Sequence, residues 1–214
     1  NGNAITLGKE FLAAGVSNVA DLKEFLAQTP DKVHTLGMVH PASMHNLLLR
    51  YWLASGGIDP DFDVTLNRIP PPQMVANLKA GNIDGYCVGE PWNSYAINQG
   101  LGFAIATDLD IWDGHPEKVL GVREDWVQKY PQTHLALVRA LLKACEYCDD
   151  WRNREEILQL ISQRNYVGVA PELVSRGFFS AYDRGRGETP QKLNRFNQFF
   201  VAQSNCPERQ EALW

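Results

Sequence analysis

The chain has 214 residues, 44% of them hydrophobic, and a formal net charge of -5. That size suits one or two small globular domains with a buried core. It carries no basic stripe for nucleic acid, no polybasic arm and no apolar run near bilayer length, so neither nucleic acid nor direct membrane insertion is expected. It opens on Asn1 rather than a methionine, which reads as a processed product or a fragment. Cys87, Cys145, Cys148 and Cys206 form no disulfide framework and favour a reducing compartment.

Residues 1–8 (NGNAITLG) read as a polar loop entering a short strand. Ser17 is placed to cap a helix over 18–28, with Leu22, Phe25 and Leu26 at helical spacing. A strand follows over 33–39, and Pro41 ends it. Ser43 then caps a helix to about Ser55, with Leu47, Leu48, Tyr51 and Trp52 as its apolar face and Gly56 and Gly57 as its stop. The next strand covers 64–69. Pro70, Pro71 and Pro72 lead into a helix carrying Met74, Val75 and Leu78, closed by Gly81. Residues 82–98 (NIDGYCVGEPWNSYAIN) predict a strand over 83–88, a break at Gly89 and a helix whose first residue is Pro91. A further strand covers 101–106. From residue 33 the order is βαβαβαβ, a three-layer α/β lobe.

After Thr107 the pattern turns helical. A loop with Trp112, His115 and Pro116 leads to an apolar stretch over 118–122, read as a strand. Pro131 opens a long helix with Leu135, Val138, Leu141, Leu142 and Cys145 on one side. Asn153 or Arg154 opens another, and Pro171 a third. Residues 182–189 (YDRGRGET) read as a polar loop, and Pro190 starts a last helix with Leu193, Phe196, Phe199 and Phe200.

Candidate functional residues are few. A strand running into a helix N-terminus at 88–92 leaves backbone N–H groups for a small anion. Gly89 lets a ligand approach closely, Glu90 adds a charge, and Trp92 can wall a pocket; an ordinary βα connection with a buried tryptophan has the same sequence. His45 falls in the first turn after Ser43, where a helix N-terminus disfavours the charged imidazole but leaves an N–H to donate. Lys118, in HPEKVLG, is either a snorkelling side chain or the fixed cation of an anion site. Cys145 and Cys148 form a CxxC without a second pair, so core cysteines are expected rather than a metal or redox centre. No phosphate loop, dinucleotide fingerprint or nucleophile elbow occurs. No cofactor is expected.

Four segments, HPASMHN, YWLASGGIDP, PPPQMVANLKAGNIDGYCVGEPWN and IWDGHPEKVLG, resemble the nitrate/bicarbonate-binding family of ABC-transporter solute-binding proteins, in the family's order and spacing. The resemblance runs over about residues 1–182. ATDLDIWDGHPEKVLGVREDW, KACEYCDDWRNREEIL and FNQFFVAQSNCPERQEALW look like one branch, the solute-binding-like domain fused behind the ATPase domain of a nitrate transporter subunit. A free cytoplasmic nitrate sensor that partners an antiterminator is the alternative branch.

This resemblance implies an α/β, two-lobed, periplasmic-binding-protein-like (type II) clamshell that holds a small anion between its lobes. The N-terminal part of the first lobe would be absent. Residues 1–30 would be the crossover and a remnant of that lobe, 31–107 the second lobe, and 108–214 the return to the first. It also implies ligands: Asn3, near where nitrate binders carry a glutamine; His45; the backbone of Val88 and Gly89; and Lys118, with Glu90 and Trp92 as pocket wall. A tryptophan that the family supplies from upstream has no counterpart. The implied role is nitrate or nitrite binding, or alternatively bicarbonate, without covalent chemistry or metal. Its partners would be ABC transporter subunits at the cytoplasmic face of the plasma membrane, or alternatively in the periplasm. A rival from another class is an enzyme like the pyrimidine-precursor synthases of the same fold, with Cys87 as nucleophile and His45 as base.

Overall fold

A computed structural model describes residues 2–179 and 181–201. At its centre is a five-stranded sheet of β1 (Asn3–Gly8), β2 (Thr35–Met38), β3 (Thr65–Arg68), β4 (Gly85–Gly89) and β5 (Gly102–Thr107), ordered β3-β2-β4-β1-β5. β2 is parallel to β3 and β4, whereas β1 runs antiparallel between β4 and β5. Helices α1 (Lys9–Ala13), α2 (Val19–Gln28), α3 (Met44–Ser55), α4 (Pro71–Ala80) and α5 (Trp92–Asn98) make the connections. The expected βαβαβαβ order is present from β2 to β5.

Alternation along β4 sorts the helices into two layers. Cys87 packs with Leu7, Leu22, Leu48, Leu49 and Leu53. Tyr86 and Val88 pack with Met74, Val75, Leu78 and Ala96. Local signals set most helix ends. Ser43 Oγ accepts the Asn46 N–H at 3.3 Å, and Gly81 takes the left-handed conformation, φ 73°, that closes α4. Two local readings shift. Asn18, not Ser17, caps α2 by accepting from Ala20 and Asp21, while Ser17 binds the Asp21 carboxylate. On α3 the buried stripe is Leu48, Leu49, Trp52 and Leu53, and Leu47 and Tyr51 are 50% and 58% exposed. Both stripes have helical spacing, and docking on the sheet selects one.

The first 30 residues also differ from expectation. β1 is buried along its whole length, and Phe11 and Leu22 join the same core as Leu36 and Leu49. This segment is the middle of the sheet, so the sheet unit starts at residue 3 instead of 31. Glycines on both neighbours admit it. A Cβ on Gly85 would stand 2.6 Å from the Thr6 carbonyl oxygen, and one on Gly102 2.5 Å from that of Leu7. Neither strand can give way inside a sheet, so Gly85→Ala is expected to cost about 2 kcal/mol. Urea denaturation checks this: an unchanged midpoint would mean that β1 can shift.

The rest of the chain comprises α6 (Asp108–Trp112), α7 (Glu124–Lys129), α8 (Pro131–Asp149), α9 (Arg154–Ile161), α10 (Pro171–Phe178) and a small ladder of β6 (Ala181–Tyr182) with β7 (Gln191–Lys192). The strand expected over 118–122 does not form; this stretch is irregular, with Val119 79% exposed. The β5 edge is covered by the 182–189 loop. Ala104 N–H donates to the Arg184 carbonyl at 2.9 Å, and the Arg186 guanidinium donates to the Ile105 carbonyl at 2.8 Å. Nor does Pro190 open a helix. Leu193 and Phe196 fold onto Ala4 and Ala104, and the Phe196 and Tyr182 rings lie 4.6 Å apart; this contact outweighs helical spacing. α8 forms as expected but buries no residue, and Cys145 and Cys148 on it are half-buried instead of core. Cys206 lies outside the described residues. No helix among the described residues is long and apolar enough to cross a membrane.

Candidate functional site

Three of the expected ligands converge at one end of the sheet. The register of β1 on β4 sets Asn3 opposite Gly89. α3 follows the C-terminal end of β2, and its first turn brings in His45. A Cβ on Gly89 would lie 3.4 Å from Asn3 Oδ1 and 3.8 Å from His45 Nε2. The glycine thus leaves a space about one methyl wide, walled by an amide and an imidazole. It lies beyond the carboxyl ends of parallel strands, the usual place for ligands in such sheets. His45 is 9% exposed, and its Nδ1 is buried without a hydrogen-bond partner. Burial first, and then the Lys118 charge, lower its pKa to about 4. The imidazole is therefore neutral at pH 7, with one N–H to donate.

The loop after α6 closes one side, and it supplies residues that the sequence alone did not single out. Asp108, 1% exposed, accepts the Asn3 backbone N–H at 3.1 Å and faces His115 Nε2 at 3.3 Å. His115 Nδ1 lies 2.9 Å from the Pro116 carbonyl oxygen. Both partners of this ring are acceptors, a setting that favours a proton on each nitrogen. Its pKa is raised accordingly, chiefly by the Asp108 hydrogen bond, against burial. Glu117 Oε2 accepts from Asn3 Nδ2 at 2.6 Å, and Lys118 Nζ grips Glu117 Oε1. Hydrogen bonds from Lys118 and Asn3 prevail over burial and hold the Glu117 carboxyl below its usual pKa. Lys118 itself is 77% exposed and reaches the others through Glu117. The signal for this cluster was the HPEK tetrapeptide, but its fold-back onto Asn3 crosses more than 100 residues of sequence.

Other candidates lie elsewhere. The Val88 side chain is in the opposite core layer, and its carbonyl accepts from Asn93 Nδ2 at 2.9 Å. That leaves Gly89 as the backbone facing the space. The N-terminus of α5 is not free for an anion. Pro91 is its cap, not its first residue, and the Ser94 N–H donates to Glu90 Oε2 at 3.1 Å. Glu90 turns away from His45 and packs against Gly177 of α10, where a Cβ would meet its carboxyl carbon at 2.6 Å. Burial, partly offset by hydrogen bonds from Ser94, raises its pKa to about 7. Trp92 packs on the α4–α5 layer beside Tyr95, across the sheet from His45. Cys87 is fully buried in the core, and burial holds its thiol far above its usual pKa; this removes the nucleophile that the synthase-like reading requires. Among the described residues no group of His, Cys, Asp and Glu is placed to hold a metal ion.

A mixed α/β sheet with amide, imidazole and glycine converging beyond its strand ends defines a small-solute-binding fold. The chain belongs to the NMT1-like family, whose model matches residues 1–162. It is 67% identical over its whole length to the nitrate import ATP-binding protein NrtC of Synechocystis, covering 32% of that protein. It is 52% identical over its whole length to the bicarbonate transport ATP-binding protein CmpC of Synechococcus elongatus, covering 31% of it. The chain thus spans about a third of the length of these relatives. Its fold matches the crystal structure of the periplasmic nitrate-binding protein NrtA from Synechocystis with a TM-score of 0.87 and 35% identity, over 95% of this chain and 53% of that one. The expected family and periplasmic-binding-protein-like fold are therefore confirmed.

Proposed function

We propose that this chain is the oxyanion-binding domain of an ABC-type nitrate importer, with nitrate or nitrite as ligand and the space between Asn3, His45 and Gly89 as its seat. The observation that carries this reading is the neutral, buried His45 facing a glycine, with room between them for one oxygen of an oxyanion. A donor that stays uncharged and a nearby lysine suit a small monovalent oxyanion, whose charge-assisted hydrogen bonds are stronger than neutral ones; the Asn3 amide joins them by turning its Nδ2 from Glu117 to the ligand. The domain itself performs no covalent chemistry. Its place is the cytoplasmic side, because the relatives at 67% and 52% identity are named as ATP-binding proteins and ATP is used there, whereas the periplasmic NrtA is less similar at 35%. In this reading β1 and residues 31–107 form one lobe, and residues 108–201 return to the other. Bicarbonate is the second reading, supported by the relative named for bicarbonate transport.

Amide NMR during titration with nitrate, nitrite and bicarbonate tests this. Saturable shifts at Asn3, His45 and Gly89 are expected with nitrate or nitrite. No shift at these positions with any of the three would overturn the reading. Lys118→Glu is expected to weaken nitrate binding about tenfold, the ~1 kcal/mol scale of an exposed charge contact. Unchanged affinity would remove Lys118 from the site.

A further inference from the structure

Two of the three side chains expected to hold the anion's oxygens, the Asn3 amide and the Lys118 ammonium, hold Glu117 instead. Asn3 Nδ2 donates to Oε2 at 2.6 Å, and Lys118 Nζ donates to Oε1. A carboxylate is itself a planar oxyanion, so Glu117 makes the contacts that a nitrate would make. It is not a loosely placed surface residue. Its side chain is 16% exposed, and the loop presenting it is tied down two residues earlier, where His115 bridges Asp108 and the Pro116 carbonyl. The geometry points the same way: with Glu117 withdrawn, the Asn3 Nδ2 donor and the Lys118 ammonium are released together at the position it leaves.

We propose that Glu117 is a resident competitor for the anion seat: an internal carboxylate that occupies the Asn3 and Lys118 donors and must leave before an external oxyanion binds. This rests on the anion-binding reading above. Glu117 then sets the site's affinity threshold, because any ligand has to outbid a carboxylate tethered at high effective concentration. It also sets selectivity: an anion that cannot take over both donors at once does not displace it.

Two variants test this in the protein, followed by amide NMR at Asn3, His45 and Gly89. Glu117→Gln keeps an acceptor of the same shape but removes the charge; nitrate affinity should rise about tenfold over the parent. Glu117→Gly empties the position; acetate, which should leave the parent unaffected, should then bind and shift the Asn3 side-chain amide. Thermal denaturation checks that both variants fold. If nitrate binds the parent and both variants equally, and acetate does not bind Glu117→Gly, Glu117 is no competitor and the anion-binding reading stands alone. If acetate binds Glu117→Gly but nitrate binds none of the proteins, the carboxylate seat is real and the nitrate reading falls. If neither anion binds any form, both ideas are overturned.

Discussion

Gly89→Ala is expected to lower nitrate affinity by about 100-fold while leaving the fold intact. The two halves of this outcome have separate causes. The added methyl would stand 3.4 Å from Asn3 Oδ1 and 3.8 Å from His45 Nε2, ordinary contact distances that require nothing to move. Gly89 has no positive φ, so alanine brings no backbone strain there. The unliganded protein should accept it with little change in denaturation midpoint. The same methyl, however, fills the volume in which an oxyanion would meet the imidazole. Losing one or two charge-assisted hydrogen bonds costs about 3 kcal/mol, which corresponds to about two decades in affinity. Nitrate titration of parent and variant measures this, and equal affinity would place the anion away from the β4 terminus. Gly85→Ala, four residues earlier on the same strand, should do the reverse, because its methyl meets backbone instead of open space.

The second large effect is a pair of opposed pH ramps. Folding lowers the His45 pKa from 6.5 to about 4. As pH falls below 6.5 the unfolded chain takes up this proton and the folded one resists it. Its stabilising contribution is complete above pH 6.5 and is lost on the way down to about 4, a total of about 3 kcal/mol. Folding raises the Glu90 pKa from 4.5 to about 7. Here the folded chain keeps its proton longer, so the contribution is complete below pH 4.5 and is lost as pH rises to about 7, again by about 3 kcal/mol. Between pH 4.5 and 6.5 the two slopes cancel. Relative to the parent, His45→Gln should gain stability as pH falls through this window, and Glu90→Gln should gain it as pH rises. Urea titrations at half-unit pH intervals would show the difference curves tilting in opposite directions. Parallel curves would mean that these groups are solvated in the folded state.

How much of this could be read from the chain depends on how local each cause is. The elements from 33 to 107 could be read from local chemistry: Ser43 as a cap, Gly81 as a left-handed stop, and apolar spacing of the correct period. His45 was legible for the same reason, since its place in a first turn follows from its distance to Ser43. Gly89 was legible as the break between strand and helix, Asn3 emerged only by resemblance, and their meeting is a matter of strand register. The stripe that α3 buries, the β5 edge taken by Arg184 and Arg186, and the non-helical path after Pro190 all turn on competition for one surface. Sequence periodicity carries no information about which competitor wins.

The sequence by itself determined the kind of element, the polarity of its faces and the residues able to donate to an anion, because caps, turns and hydrophobic period act within a few residues. Only the tertiary structure decided that β1 enters the middle of the sheet. It also decided that Lys118 points outward while Glu117 takes the Asn3 amide, and that the pKa of buried His115 is raised where that of buried His45 is lowered. The physical reason is the same in each case. Desolvation and hydrogen-bond partnership are properties of a surrounding, and the surrounding of Asn3 includes Asp108 and Glu117, 105 and 114 residues away.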